Sequence, residues 1–388
     1  MHIKAESFRY QLLGSLRGLA AFWVVCFHIL AEFREQYGTV FNHLIKNGDL
    51  GVEVFFVISG YGLSVSVHNK FSQGISNYSY AKRRISRIYL TYLASLLFAA
   101  VVIPILCALL SAIKTGAITI QFFPYTALEW MHMVFLTKVF SANTWELNQA
   151  FLPLNGAFWY IAIIVQIYLV VVLGAFSKRL YYILIVIVTF LGLGSLFPAA
   201  KELLPPGLFL PFWPEFAVGV GLYQVIARGW ILGIKNAQSR AVYCIIWTIF
   251  LVSTSLILYF WFSKPVFAVI VGVFLWLLRP MDAILSASRL FRILRFMGSF
   301  SYSLYLMHFP LWPMVDILVR NLIPLPLYFT TPLVLIPLVI ILAFLWYLFF
   351  EKPGSFMGIL RAWRRPFITI LQGIKPRQEG PNSTVVPE

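Results

Sequence analysis

Long apolar runs separated by short polar segments repeat along the whole chain. Each run holds about 20 residues, which is enough for a helix to cross the hydrocarbon core of a bilayer. Lipid offers no partner for backbone polar groups, so the runs are predicted to be helices, and the fold to be an all-α polytopic membrane bundle. We predict about ten transmembrane helices, at residues 12–33, 51–68, 88–112, 156–176, 180–199, 208–227, 241–261, 265–280, 298–319 and 331–350.

Composition and charge agree with this prediction and give it an orientation. Of the 388 residues, 60% are hydrophobic and only 11% are charged, and the net charge is +16. With the N-terminus inside, 22 Lys and Arg residues fall on inside segments and seven on outside segments. This asymmetry predicts that both termini are cytoplasmic. The positive charge then serves topology, so a nucleic-acid partner is not expected.

The chain is predicted to form one transmembrane domain, residues 1–355, and a partly disordered cytoplasmic tail, residues 356–388, which ends in a polar, Pro-rich stretch. The longest outside segment, 113–155, contains "LEWMHMVFLTKVF" (128–140), which is too short to span and suits a re-entrant or interfacial helix. The three cysteines, Cys26, Cys107 and Cys244, lie in apolar runs without metal-like spacing. We interpret them as packing residues and predict no metal site.

Two ionisable side chains interrupt the first span, in "RGLAAFWVVCFH" (17–28). Eleven residues are close to three helical turns, so Arg17 and His28 share one face at depths about 16 Å apart. Ionisable residues inside a span usually face a cavity or a pathway. Two structural alternatives stay open: Arg17 reaches the inner headgroups with its long side chain, and His28 is a buried neutral imidazole bonded to a neighbouring helix.

The second span opens with "GDLGVEVFFVISGYGLSVS" (48–66). Ser59, Gly60 and Gly62 form a strip of small residues that lets another helix approach closely. Glu53 lies just inside the outer end and is expected near His28, because the first two spans are neighbours in sequence. The alternative is that Glu53 is solvated at the outer interface and that the glycines only pack.

A basic cluster, "KRRISRIYL" (82–90), precedes the third span. It contains Lys82, Arg83, Arg84 and Arg87. Arginine forks pair bidentately with phosphate oxygens, so the cluster suits a phosphate-binding patch at the inner mouth. The alternative is a cluster that only keeps this loop in the cytoplasm.

Taken together, these stretches resemble the acyltransferase 3 family of membrane O-acyltransferases, which modify bacterial surface glycans. The resemblance spans about residues 10 to 355. Four later stretches agree with it in order: "FWYIAIIVQIYLVV" (158–171), "FWPEFAVGVGL" (212–222), "SYSLYLMHFPL" (301–311) and "FEKP" (350–353). One position departs, because Ile164 stands where the family usually has a glutamate, while Gln166 is kept.

The resemblance implies an enzyme of the inner membrane that transfers an acyl group, acetyl by default, from cytoplasmic acyl-CoA to a hydroxyl of a surface glycan or glycolipid. His28 is then the catalytic general base or nucleophile, and Glu53 a carboxylate that orients it. Arg17 and the basic cluster bind the donor. Possible acceptor-binding or supporting residues are Ser59, Tyr61, Trp159, Gln166, Tyr302 and His308, the last of which could instead pair with Tyr302 or Ser303.

A transporter or exporter of a lipid-linked or polysaccharide substrate, without covalent chemistry, is the alternative of a different class. Ten helices with buried polar groups would suit it. The lack of a visible internal repeat and the arginine cluster argue against it. A receptor has only the short outside segment in its favour. The sequence leaves the acceptor, the acyl length and the oligomeric state open.

Overall fold

The computed structural model describes residues 10–352 except 117, 119, 124, 143–145, 228–263 and 324–325, and the regular secondary structure of these residues is entirely helical. The predicted span 241–261 and the tail 356–388 lie outside the described residues. The α-helices are α1 Leu12–Ile29, α2 Thr39–Lys46, α3 Gly51–Ser72, α4 Asn77–Leu97, α5 Ile103–Thr115, α6 Ala127–Val134, α7 Phe158–Gly174, α8 Lys178–Gly194, α9 Pro198–Leu203, α10 Trp213–Ala227, α11 Lys264–Leu278, α12 Asp282–Ala287, α13 Arg289–Ser299, α14 Ser301–Leu322, α15 Leu327–Thr330 and α16 Ile336–Trp346. Three π-helical segments continue them, at Phe98–Val102, Thr331–Leu335 and Tyr347–Glu351.

Five helical segments within the described residues are long and apolar enough to cross a membrane. They are Leu12–Ile29, Gly48–Ser72, Asn77–Ala112, Lys264–Ala287 and Tyr328–Glu351. Phe158–Gly174 is a shorter apolar helix. The structure therefore agrees with an all-helical, multi-pass membrane protein. Between the long helices, α6 is a short helix of eight residues, too short to span, as predicted for this connection.

The third spanning helix begins earlier than the sequence pattern predicts. The apolar run starts at residue 88, but α4 starts at Asn77, because Ser76 caps it with a hydrogen bond from the backbone N–H of Ser79 to its hydroxyl (3.2 Å). The basic cluster is therefore the amphipathic first half of a helix and not a loop. Its side chains point in different directions at helical intervals, so they do not all reach the same neighbours.

A carboxylate fixes the start of α1. Asp282 accepts the backbone N–H groups of Gln11 (3.0 Å) and Leu12 (2.9 Å), where the unbonded amides and the helix dipole favour a negative charge. Arg279 holds the same carboxylate at 3.1 Å. Asp282 is itself buried, so this arrangement fixes the axial position of α1, and with it the depth of every side chain that α1 carries.

Glycines allow two helix pairs to pack backbone against backbone. A Cβ on Gly60 of α3 would lie 2.0 Å from the Phe216 carbonyl oxygen, and one on Gly219 of α10 would lie 1.9 Å from that of Val57. The prediction that small residues of the second span admit another helix is confirmed for Gly60. It does not hold for Gly62, which has no such neighbour and borders a cavity. Gly18 and Gly298 make the same kind of contact between α1 and α13.

We expect Gly219→Ala to lower the thermal unfolding temperature of the detergent-solubilised protein, since one methyl group must push α10 away from α3. Overpacking of this kind costs about 1–3 kcal/mol. Gly221→Ala is the matched control on the same helix, because a Cβ there meets no atom within 4 Å. It should leave the unfolding temperature unchanged or raise it slightly through better helix propensity. Equal unfolding temperatures for the two variants would contradict the close approach of the helices.

Candidate active site

Two histidines from distant parts of the chain meet in the bundle. His28 Nδ1 of α1 lies 3.3 Å from His308 Nε2 of α14, and the ring centroids are 5.1 Å apart. His308 is completely buried and His28 is half-buried. His308 was predicted as a supporting residue, with Tyr302 or Ser303 as its structural partners. The structure gives it His28 instead.

Backbone carbonyls fix the tautomers of the pair. His28 Nδ1 lies 3.0 Å from the Val24 carbonyl oxygen, and His308 Nδ1 lies 3.2 Å from that of Leu304. A carbonyl oxygen only accepts, so in the neutral rings both Nδ1 atoms carry the proton and both Nε2 atoms carry the lone pair. His28 Nδ1–H then also donates to His308 Nε2. This assignment leaves the Nε2 lone pair of His28 as the basic site of the pair.

A proline, Pro310, interrupts the backbone hydrogen bonds of α14 two residues after His308. Pro310 has no N–H to donate to the carbonyl of Leu306, four residues earlier. The side-chain amide of Asn155 replaces that donor at 2.9 Å, and Asn155 is completely buried. The turn that carries His308 is thus held by a side chain from the connection before α7, which fixes the imidazole in place.

A polar cavity of about 170 Å³ lies on the Arg17 side of the histidine pair. Arg17, Arg84 and Arg87 line it together with Glu351. Tyrosines and small polar residues form much of the remaining wall, and they are Ser59, Tyr160, Tyr168, Ser299, Ser301, Tyr302 and Tyr305. Three guanidinium groups and one carboxylate make the described wall positive, so the cavity suits an anionic ligand.

Two of the four side chains of the basic cluster line the cavity, and the other two have other partners. Arg84 and Arg87, one turn apart, line the cavity. Arg83 points elsewhere and donates from Nε to the Ser79 carbonyl oxygen at 3.1 Å, while Lys82 lies over the ring of Tyr78 at 5.6 Å. Only half of the cluster predicted to bind the donor is therefore placed at the cavity.

One aromatic residue joins this cavity to the histidines. Tyr305 lines the cavity, and its ring centroid lies 5.8 Å from that of His308. Arg17 shares the cavity with Tyr302 and Tyr305 of α14, and His28 contacts His308 of the same helix. Arg17 and His28 thus both face α14, as their eleven-residue spacing predicts.

The structure does not bring Glu53 to His28. The Glu53 carboxylate is completely buried and lies 3.3 Å from Nζ of Lys264, which also holds Asp49 at 3.0 Å. The expectation that the first two spans would bring Glu53 beside the imidazole is therefore not met, because α11 supplies a cation at the same level of α3. His28 instead contacts the side chain of His308.

The other predicted residues fall into two groups. Ser59 and Tyr302 line the polar cavity, and the Tyr302 hydroxyl donates to the Ile88 carbonyl oxygen at 2.8 Å. Gln166 instead holds the loop before α10: its amide donates to the Gly207 carbonyl and accepts the N–H of Phe209. Trp159 packs on Phe212, and Tyr61 packs between Tyr10 and Tyr223.

Glu351 and Tyr160 are among the cavity residues to which sequence reasoning gave no site role. Glu351 shares its cavity with Arg17, Arg84 and Arg87. It also accepts hydrogen bonds from the backbone N–H (3.2 Å) and hydroxyl (2.6 Å) of Ser303. Its signal was the "FEKP" stretch at the end of the last span. Tyr160 follows Trp159 in a stretch already singled out, but one aromatic among many carries no distinguishing signal.

Comparison with known proteins gives a family and one relative. The family model described as "acyltransferase domain", of the acyltransferase 3 family, matches residues 13–351. The protein named acyltransferase MdmB, from Streptomyces mycarofaciens, is 28% identical over 158 residues, which is 39% of this chain. The matched region also covers only 39% of that relative's length. No solved structure matches the chain.

Proposed function

Because the chain belongs to the acyltransferase 3 family, an enzyme family that transfers acyl groups, we propose that it moves an acyl group from acyl-CoA to an alcohol at His28. The observation that carries the proposal is the position of the His28–His308 pair next to the arginine-lined cavity. A basic nitrogen adjoining a site for a phosphorylated donor is the combination that acyl transfer from a coenzyme A thioester requires.

Donor binding falls to the polar cavity. The phosphates of acyl-CoA cannot enter lipid, but Arg84 and Arg87 offer them cationic partners at the mouth of the bundle. Arg17 lies deeper on α1 and draws the pantetheine arm towards Tyr305. The cavity itself is too small for the whole of coenzyme A, so the nucleotide stays outside and the thioester end enters. Acetyl is the acyl group we propose, because a cavity of about 170 Å³ that holds the thioester end leaves little room for a longer chain.

The reaction balances with His28 as the only proton carrier. Its Nε2 lone pair takes the proton of the acceptor hydroxyl while the oxygen attacks the thioester carbon. The new C–O bond forms, the C–S bond breaks, and the proton on Nε2 passes to the departing thiolate. His308 accepts the Nδ1–H of His28 and so stabilises the imidazolium between these two transfers, the supporting role that a carboxylate plays in other histidine bases.

The topology that fits this chemistry has ten spans and both termini in the cytoplasm, so that Arg84 and Arg87 meet cytoplasmic acyl-CoA. The acceptor then approaches from the other side, as a glycan or lipid-linked sugar at the surface of the bacterial inner membrane. Ile164 stands where the family usually has a glutamate, and it lines the polar cavity on the donor side. This supports an acceptor that is held by other residues.

Label transfer tests the proposal. Membranes from cells that produce the full chain are incubated with acetyl-CoA carrying a radioactive acetyl group, and the glycan and lipid fractions are counted. We expect label in an acceptor fraction, lost on mild alkaline hydrolysis as an ester must be. Membranes that hold equal amounts of His28→Gln protein should stay unlabelled. A transporter without covalent chemistry would leave both preparations unlabelled.

A further inference from the structure

A second cavity of about 450 Å³ lies beyond the histidine pair. Its wall combines Cys107 and Ser111 of α5, Gln121 and Phe123 of the following connection, and residues of α14. Ser111 and Gln121 are the polar side chains of the described wall, and no charged side chain lines it. In volume it falls within the range of small-molecule sites, and in chemistry it is the opposite of the arginine-lined cavity.

Phe309 joins this second cavity to the site. The Phe309 ring lines the cavity, and its centroid lies 5.9 Å from that of His28 and 6.3 Å from that of His308. Tyr305, one turn earlier on α14, lines the arginine cavity and contacts His308 from there. Each cavity is therefore one aromatic ring away from the histidine pair, and the two follow one another along α14.

Irregular backbone forms part of the wall. The π-helical segment Phe98–Val102 comes immediately before Ile103 and Pro104, both of which line the cavity, and π turns occur often at functional sites. On the opposite wall, Pro313 has no N–H to donate to the Phe309 carbonyl. That carbonyl therefore lacks the donor that a regular α-helix would supply, so the backbone of α14 is irregular here.

We propose that this second cavity binds the acyl acceptor, and that the acceptor is an amphipathic alcohol whose hydrocarbon part fills the cavity. The inference rests on the proposed function. A bare polysaccharide would lose hydration at many hydroxyls and find too few polar partners on this wall. A sugar or other alcohol with an apolar group needs polar partners only at its reacting end, where Gln121 is one polar side chain of the wall. Donor and acceptor then reach His28 from the two sides of the pair.

Cys107 provides a direct probe of occupancy. The full chain, with Cys26→Ser and Cys244→Ser, is placed in lipid nanodiscs and alkylated with N-ethylmaleimide, and the rate at Cys107 is followed by intact mass. Octyl glucoside and methyl glucoside are the probes, because they share the same sugar hydroxyls and differ in the hydrocarbon. We expect octyl glucoside to slow alkylation at least fivefold and saturably, and methyl glucoside to leave the rate unchanged.

The matched control places the thiol two residues along the same helix. Leu109 is 47% exposed and is not part of the cavity wall, so Leu109→Cys in a Cys107→Ser background should react at the same rate with or without octyl glucoside. Equal slowing at both positions would show simple partition into the bilayer and overturn the proposal. So would no slowing at Cys107, or equal slowing by the two glucosides.

A second variant links the cavity to transfer. Cys107→Trp fills the cavity and should reduce labelling of the acceptor fraction at least tenfold, whereas Leu109→Trp should keep it near the wild-type level. Full labelling by Cys107→Trp protein would exclude the cavity as the acceptor site even though the enzyme is active. If the wild-type protein labels nothing, the proposed function itself fails. Alkylation is measured without acyl-CoA, so the two failures are separate.

Discussion

Replacing His28 with glutamine is expected to lower kcat by about 10²–10⁴-fold, the range that a positioned proton acceptor contributes. Glutamine keeps the approximate size of the imidazole and can still hydrogen-bond to Val24 and His308. It has no basic nitrogen, so it cannot take the proton of an acceptor hydroxyl. The KM for acyl-CoA should change little, because the arginines proposed to bind the phosphates line the cavity and His28 is not part of its wall. Acyl-CoA consumption by purified protein in nanodiscs measures both constants.

Two further variants make this result interpretable. His43→Gln is the same substitution on α2, at an exposed position away from both cavities, and should leave kcat unchanged. His308→Gln removes the positioning partner but keeps an oxygen that can accept from His28 Nδ1–H. We expect a smaller loss of kcat and a shift in the pH dependence of kcat, which a purely structural residue would not cause. Wild-type turnover by folded His28→Gln protein would remove His28 from the mechanism.

The helices that carry the site follow from the apolar pattern, because a period of 3.6 residues and a length of about 20 are visible in one dimension. The placement of Arg17 and His28 on one face of α1 follows from the same geometry. The start of a helix that is set by a polar cap does not follow from the apolar pattern. Ser76 begins α4 well before the apolar run, and a sequence rich in arginine and serine resembles a loop until its cap is seen.

Contacts between distant helices could not be read from the sequence. His28 and His308 are 280 positions apart, and no local pattern says which helix faces which. The expectation for Glu53 was not met for the same reason: neighbouring spans in sequence suggested His28, whereas the fold brings Lys264 from α11. A close helix contact at Gly60 could be predicted, because small residues at a helix interface allow close approach whatever the partner is. The partner, Gly219 of α10, could not be predicted.

The division of the basic cluster is the clearest gain from the structure. As a string, "KRRISR" contains four equivalent cations. In the first half of α4, Arg84 and Arg87 lie one turn apart and line the cavity, whereas the Arg83 side chain bends back to the Ser79 carbonyl. The sequence thus establishes that positive charge is concentrated here, while only the helix and its neighbours determine which guanidinium groups reach a ligand.

Arg84→Gln and Arg87→Gln are each expected to raise the KM for acyl-CoA by about tenfold or more, since a hydrogen bond to a charged group contributes about 1.5–3 kcal/mol. The value of kcat should stay within about twofold of wild type, because phosphate contacts are shared by the ground and transition states. Saturation curves with acetyl-CoA, at a fixed acceptor concentration, measure the two constants. Both side chains line the same cavity. The double variant, Arg84→Gln with Arg87→Gln, should therefore also have a raised KM for acyl-CoA.

Arg83→Gln is the control that separates donor binding from membrane topology. It removes the same positive charge from the same helical turn, and any effect on orientation through the basic cluster should therefore equal that of Arg84→Gln. Arg83 is exposed and bonded to the Ser79 carbonyl, away from the cavity, so the KM of Arg83→Gln protein for acyl-CoA should remain that of the wild-type protein.

If all three variants raised KM equally, the cluster would act as a diffuse charge and the cavity would not be the donor site. If none did, phosphate recognition would have to be sought outside α4. A tenfold difference in KM between the Arg83→Gln and Arg84→Gln variants, which have the same net charge, can only come from where the two side chains point.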